Sequence, residues 1–154
     1  MLTVSTDGLQ DLVSNALERM AFVFVEPCGT TAGEMIACAA AHSSIELRGA
    51  KNYVVTVTAT PGFVQEVAAG MMGCDESEID VDDHGSATVS ELANIFGGEL
   101  VMMMANEDEG MLIGLPRDVT DEDAGGAADR AGDGGRVCMV GTESGELMVS
   151  VSPD

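Results

Sequence analysis

SELANIFGGEL, residues Ser90-Glu91-Leu92-Ala93-Asn94-Ile95-Phe96-Gly97-Gly98-Glu99-Leu100, reads as part of an amphipathic helix that includes residues a helix does not favour. An interior Asn costs several tenths of a kcal/mol relative to Ala, and an interior Gly about 1 kcal/mol. At about 100° per residue, Leu92, Phe96, Leu100 and Met103 share one side, with Ala93 and Met104 beside them. That side is the expected buried stripe. Glu91, Asn94 and Gly98 fall opposite it, flanked by Ile95 and Met102. A carboxylate and a carboxamide one turn apart therefore point outward together. Apolar residues beside a polar pair on an exposed face indicate a protein-contact surface. Gly98, one turn beyond Asn94, lets another backbone come close. The projection offers no reason for Gly97.

Outward from this segment, the pattern alternates between helices and antiparallel strands. Ser5-Thr6-Asp7 supplies N-cap candidates for a first helix over about 7–20, with Leu9, Leu12, Val13, Ala16, Leu17 and Met20 in helical period. Ala21–Val25 is β-rich, and 33–41 fits either a helix or a strand. Ser44–Arg48 alternates, Gly49–Asn52 reads as a turn, and Tyr53–Ala59 (YVVTVTA) reads as a strand. Together they predict a hairpin. Thr60 as N-cap and Pro61 at the first position start a helix that ends at Gly73. An acidic loop over 75–84 leads into a helix from about Ser86 to Ala105. Asn106–Gly110 reads as a turn and Met111–Leu115 as a strand closed by Pro116. The Gly/Ala/Asp-rich stretch 120–135 reads as a flexible surface loop. Arg136–Gly141 and Glu146–Ser152 flank a final hairpin turn. Helices between antiparallel strand pairs predict a two-layer α+β domain spanning 1–154, with an antiparallel-paired sheet and the long Glu-x-x-Asn helix and others packed on one side.

Composition narrows the classes of function. The chain has 154 residues, enough for one domain, and 45% are apolar. With 11 Met, 4 Phe, 1 Tyr and no Trp, its core must be aliphatic and methionine-filled. The 27 acidic residues against 6 basic ones give −21, which argues against nucleic acid and anionic membranes as partners. No apolar run approaches the roughly 20 residues that span a bilayer, and the N-terminus lacks a basic region of a signal peptide. Cys28, Cys38, Cys74 and Cys138 form no CxxC pair. They read as four free, mostly buried thiols in a reducing cytoplasm.

Other chemistry-bearing residues give weaker signals. Asp80-x-Asp82-x-His84-Gly85, followed after five residues by Glu91, nearly matches a calcium loop. His84 is a poor ligand for a hard cation, Ala87 replaces the usual branched apolar residue, and no entering helix precedes the loop. His42 and His84 lack ligand partners at zinc spacing and are expected at the surface. No serine sits in a nucleophile elbow. Met102-Met103-Met104 is read as core and edge packing.

The Glu91-Leu92-Ala93-Asn94 segment followed by Gly98, the order of elements around it, Gly114-Leu115-Pro116 and the closing hairpin VCMVGTESGELMVSV resemble the CheC/CheX/FliY family of chemotaxis phosphatases, the CheX type above all. The resemblance covers nearly the whole chain and contains one Glu-x-x-Asn element. It implies hydrolysis of the aspartyl phosphate of a CheY-like response regulator, with Asn94 orienting the attacking water and Glu91 pairing with the partner's lysine. Ile95, Gly98 and Met102 would contact the partner. No cofactor or metal is expected on this chain, since the Mg2+ would belong to the regulator. A cytoplasmic homodimer with paired sheets is also implied. The alternative is a non-catalytic adaptor that docks on a response regulator or flagellar component through the same face.

Overall fold

A computed structural model describes residues 4–105 and 110–154. Apart from Gly110, the turn expected at Asn106–Gly110 lies outside them. The first helix, α1 (Thr6–Ala21), is capped by Ser5, whose hydroxyl accepts from the Gly8 N–H at 2.9 Å. It ends where Phe22 turns left-handed at φ 55°, which lets the Val23 N–H reach the Leu17 carbonyl. This termination overturns the strand expected over Ala21–Val25. Only the two residues of β1 (Glu26–Pro27) pair there. The ambiguous stretch resolves into α2 (Ala32–Ala37), capped by Thr31, followed by β2 (Ala41–Arg48).

The hairpin of β2 and β3 (Tyr53–Ala59) forms in the register Leu47↔Tyr53 to Ala41↔Ala59. Next comes α3 (Pro61–Met72), closed by Gly73 at φ 71°. The acidic loop is shorter than expected. A 3-10 turn at Glu76–Glu78 precedes α4 (Val81–Met104), which starts five residues before Ser86. Asp80 caps it, and Asp82 and Asp83 sit in its first turn, where negative charge opposes the positive end of the helix dipole.

Short segments β4 (Leu112–Ile113) and β5 (Arg117–Asp118) both pair with β2. The strand expected over Met111–Leu115 thus shrinks to two residues. The loop expected over 120–135 is instead largely a helix, α5 (Asp121–Gly132). Thr120 and Asp123 form a reciprocal cap, and Ala124, Ala127, Ala128 and Ala131 are its buried stripe. Small side chains hid that stripe from a reading based on large apolar residues. The last hairpin joins β6 (Arg136–Gly141) and β7 (Glu146–Pro153).

All pairings are antiparallel, in the order β1-β6-β7-β3-β2-β4, with β5 also on β2. The predicted α+β architecture is present. Ile45, Leu47, Val55, Val57, Val140, Val149 and Val151 face α1, α3 and α4, which supply Leu9, Val13, Leu17, Phe63, Val67, Leu92, Phe96 and Leu100. Each large side chain buried here contributes roughly 1.5–3 kcal/mol. On the opposite face Met148, Val137 and Met139 meet Met35 of α2 and Ala128 of α5, so the segment read as a loop adds cover there. β7 lies inside the sheet with both edges paired, so it offers no edge to a second copy.

Candidate functional site

Helix α4 is fixed to the sheet at several levels. Ser86 donates to Asp118 Oδ1 at 2.7 Å, and the Ser90 and Ser43 hydroxyls lie 3.2 Å apart, with Ser43 also donating to the Arg117 carbonyl. Phe96 and Leu100 are fully buried. Gly97 faces the strands so closely that a Cβ there would lie 3.0 Å from Ile113 Cδ1 and 3.1 Å from Ile45 Cγ2. The glycine that the helical projection left unexplained is a seat on the sheet.

Glu91 and Asn94 lie on the opposite side of this helix and are exposed. Among the described residues neither side chain has a hydrogen-bond or ion-pair partner. Their Cα atoms are separated along the helix axis by about 4.5 Å, given 1.5 Å per residue. A Cβ on Gly98 would meet nothing within 4 Å, and Met102 is 75% exposed. Ile95 is different: it is half-buried and packs against the core, so only part of its surface is open to a partner.

Met103 departs from the expected buried stripe. It is 48% exposed, while Met104, which continues the i, i+4 series of Leu92, Phe96 and Leu100, is buried. Met103 instead borders a shallow groove of about 330 Å³ between α4 and α1, together with Leu12, Asn15, Arg19 and Glu99. Arg19 and Glu99 form an ion pair across it at 2.5 Å. Sequence reasoning passed over Arg19; its signal was the rarity of cations in this chain.

The near match to a calcium loop is not a loop. Asp80 Oδ1 accepts the Asp82 N–H, the Asp80 carbonyl accepts from His84, and Asp82, His84, Gly85 and Glu91 all lie within α4. Eleven of the twelve residues are wound in the helix and cannot wrap a cation. Among the described residues no group of three or more His, Cys, Asp or Glu is arranged to hold a metal ion. His42, expected at the surface, is buried instead. Its Nε2–H donates to Asp121 Oδ1 at 2.6 Å, and the Thr58 hydroxyl lies 2.8 Å from Nδ1. The four thiols are free, but only Cys138 is fully buried; Cys28 and Cys74 are half-buried and Cys38 is exposed. No helix among the described residues is long and apolar enough to cross a membrane.

Chemically, the face offers a carboxamide that both donates and accepts hydrogen bonds, beside a carboxylate with no cation of its own. Being a convex helix surface, it can act only on a group that a partner carries to it.

No protein-family model matches this sequence, and no curated protein matches it. Solved structures do. The chemotaxis protein CheX from Vibrio vulnificus superposes with a TM-score of 0.68 at 14% identity, covering 95% of this chain and 96% of that one. A CheC-like superfamily protein from Shewanella sp. PV-4 gives 0.70 at 15% identity, covering 100% and 99%. A chain of the CheX-CheY-BeF3-Mg2+ complex from Borrelia burgdorferi gives 0.63 at 15% identity, covering 97% and 98%. The fold of this chain is the CheX/CheC-like fold.

Proposed function

We propose that this chain works in chemotaxis or a related two-component pathway as a phosphatase for the aspartyl phosphate of a CheY-like response regulator. The observation that carries the reading is the outward, unpartnered Glu91–Asn94 pair on a helix firmly seated on its sheet. A fold shared with the CheX-CheY complex supports it.

In this reaction a water oxygen attacks phosphorus, the bond from phosphorus to the aspartyl oxygen breaks, and inorganic phosphate and a free carboxylate leave. Asn94 inserts beside the phosphoryl group and holds the water in line, its Oδ1 accepting from the water. Glu91 pairs with the regulator's lysine and fixes the orientation of the complex. The regulator holds the Mg2+ that neutralises the phosphoryl oxygens. Positioning and charge neutralisation are most of what phosphoryl transfer requires, so no nucleophile on this chain is needed. Gly98 leaves room for the partner's backbone, and Met102 supplies apolar contact at the far end of the face. On this reading the chain acts as a cytoplasmic homodimer. β7 being internal, the open sheet edges are those of β1–β6 and of β4–β5. Light scattering on the purified protein checks the dimer; a purely monomeric mass removes it.

The deciding experiment measures decay of a phosphorylated regulator with and without the protein. Acceleration by the wild type, lost in Asn94→Ala, supports the phosphatase. Binding without acceleration by the wild type makes the chain an adaptor.

A further inference from the structure

The sheet face opposite α4 carries a second polar site. With only 6 cationic residues among 27 acidic ones, a cation in this chain meets carboxylates easily. Arg19 and Arg48 each pair with a glutamate. Among the described residues Arg117 and Arg130 pair with none, and both line the same cleft, of about 480 Å³, between α5, β5 and the β2–β3 hairpin. Arg117 stands directly across from Ser44 in the antiparallel register, so the two share this face. Arg130 lies in the last turn of α5, and its Nη1 would sit 3.3 Å from a Cβ on Gly126. The glycine leaves the guanidinium room to lie along the helix.

The floor of the cleft is also polar. Ser44 and Thr56 are buried there, with hydroxyls 2.8 Å apart. One strand further in, Ser150 and Ser152 stand opposite Thr56 and Val54 as buried hydroxyls without a partner among the described residues. Four acidic residues share the rim: Glu46, engaged by Arg48 and also attracted by Arg117, Asp123, which accepts from the Thr120 N–H, and Glu122 and Asp154. Two guanidiniums that no carboxylate holds in an ion-pair contact among the described residues, above a hydroxyl floor, match a planar or tetrahedral oxyanion, which arginine binds through parallel hydrogen bonds.

We propose that this cleft binds a small organic anion, its carboxylate or phosphate group held by Arg117 and Arg130 and its polar body resting on Ser44 and Thr56. The site is separate from the Glu91–Asn94 face and does not depend on the reading of that face.

The test titrates the full chain with inorganic phosphate and with citrate, against sodium chloride at matched ionic strength, following backbone amide shifts by NMR. A saturable response to either probe, centred on Ser44, Thr56, Arg117 and Arg130, is expected. Arg117→Gln and Arg130→Gln should each weaken it about tenfold or more, the loss of a charge-assisted hydrogen bond. Lys51→Gln removes the same charge outside the cleft and should leave it unchanged, as should Asn94→Ala. Both arginines are exposed, so circular dichroism should show the variants folded. No response beyond chloride, or equal affinity in the Arg117→Gln/Arg130→Gln double variant, overturns the proposal.

Discussion

Gly97 of α4 sits tightly against Ile45 of β2: a Cβ at Gly97 would lie 3.1 Å from Ile45 Cγ2, so the strand side chains would have to give way to it. Its neighbour Gly98 has nothing within 4 Å. Two adjacent glycines in one helix thus have opposite relations to the fold. Alanine at either gains about 1 kcal/mol of helix propensity. At Gly98 nothing opposes that gain, so Gly98→Ala should stabilise the protein. At Gly97 the methyl meets a β-branched side chain held in a packed strand, and overpacking of this kind costs about 1–3 kcal/mol. Urea unfolding should rank Gly98→Ala above wild type and Gly97→Ala below it. The reverse order would mean that the helix is not seated as described.

The outward pair should separate stability from function. Neither Glu91 nor Asn94 touches the core, so replacing either with Ala should change unfolding free energy by no more than about 0.5 kcal/mol. Loss of a positioning group costs on the order of 100-fold in rate. On the proposed phosphatase reading, Asn94→Ala should therefore abolish most acceleration of regulator dephosphorylation while leaving affinity for the regulator within a few-fold. Glu91→Ala should weaken binding. Stopped-flow fluorescence of the regulator gives the rate, and calorimetry with its phosphoryl-analogue form gives the affinity.

The His42 bridge ties β2 and β3 to the start of α5. His42→Ala leaves the buried Thr58 hydroxyl without this partner, a loss of about 1–3 kcal/mol. Asp121 is exposed, and water can replace it. Asp121→Ala should therefore cost clearly less than His42→Ala in the same denaturant series. Equal losses would show that the two bonds act as one unit.

Burial, with a smaller contribution from Cys28, pushes the Cys138 thiol up from 9.0 to about 11. The native state therefore holds this proton more tightly than the unfolded chain. Stability from this group is fully present below pH 9 and is lost as pH rises toward about 11, a total of about 2–3 kcal/mol for a shift of this size. Cys138→Ala should flatten that part of the stability profile. Iodoacetamide at pH 8 should label exposed Cys38 promptly and Cys138 only after unfolding.

Much of the architecture was legible because it rests on local signals. Strict alternation in YVVTVTA, the Thr60-Pro61 start, the Gly73 stop and the spacing of Leu92, Phe96 and Leu100 each report a backbone period or cap that depends on few neighbours. The face holding Glu91 and Asn94 followed from the same period. Local signals failed where the deciding energy is small or distant. Helix α5 hides in a Gly/Ala/Asp-rich stretch because its packing uses alanines, whose burial against β7 gives little pattern. The sequence 21–25 has β-forming side chains, yet Phe22 serves as the left-handed end of α1.

By itself, the sequence determined the period and therefore the faces: which residues turn inward and which outward along each helix and strand. Those follow from backbone geometry and side-chain polarity, and they placed Glu91 and Asn94 together on the outward face; the family resemblance is what marked that pair as a candidate site. Only the tertiary structure decided what meets each face. It brought Ile45 against Gly97, Asp121 against His42, Arg19 against Glu99, and Arg117 across from Ser44. These pairs lie far apart in the chain, and their contacts depend on strand order and close packing, which no local period encodes.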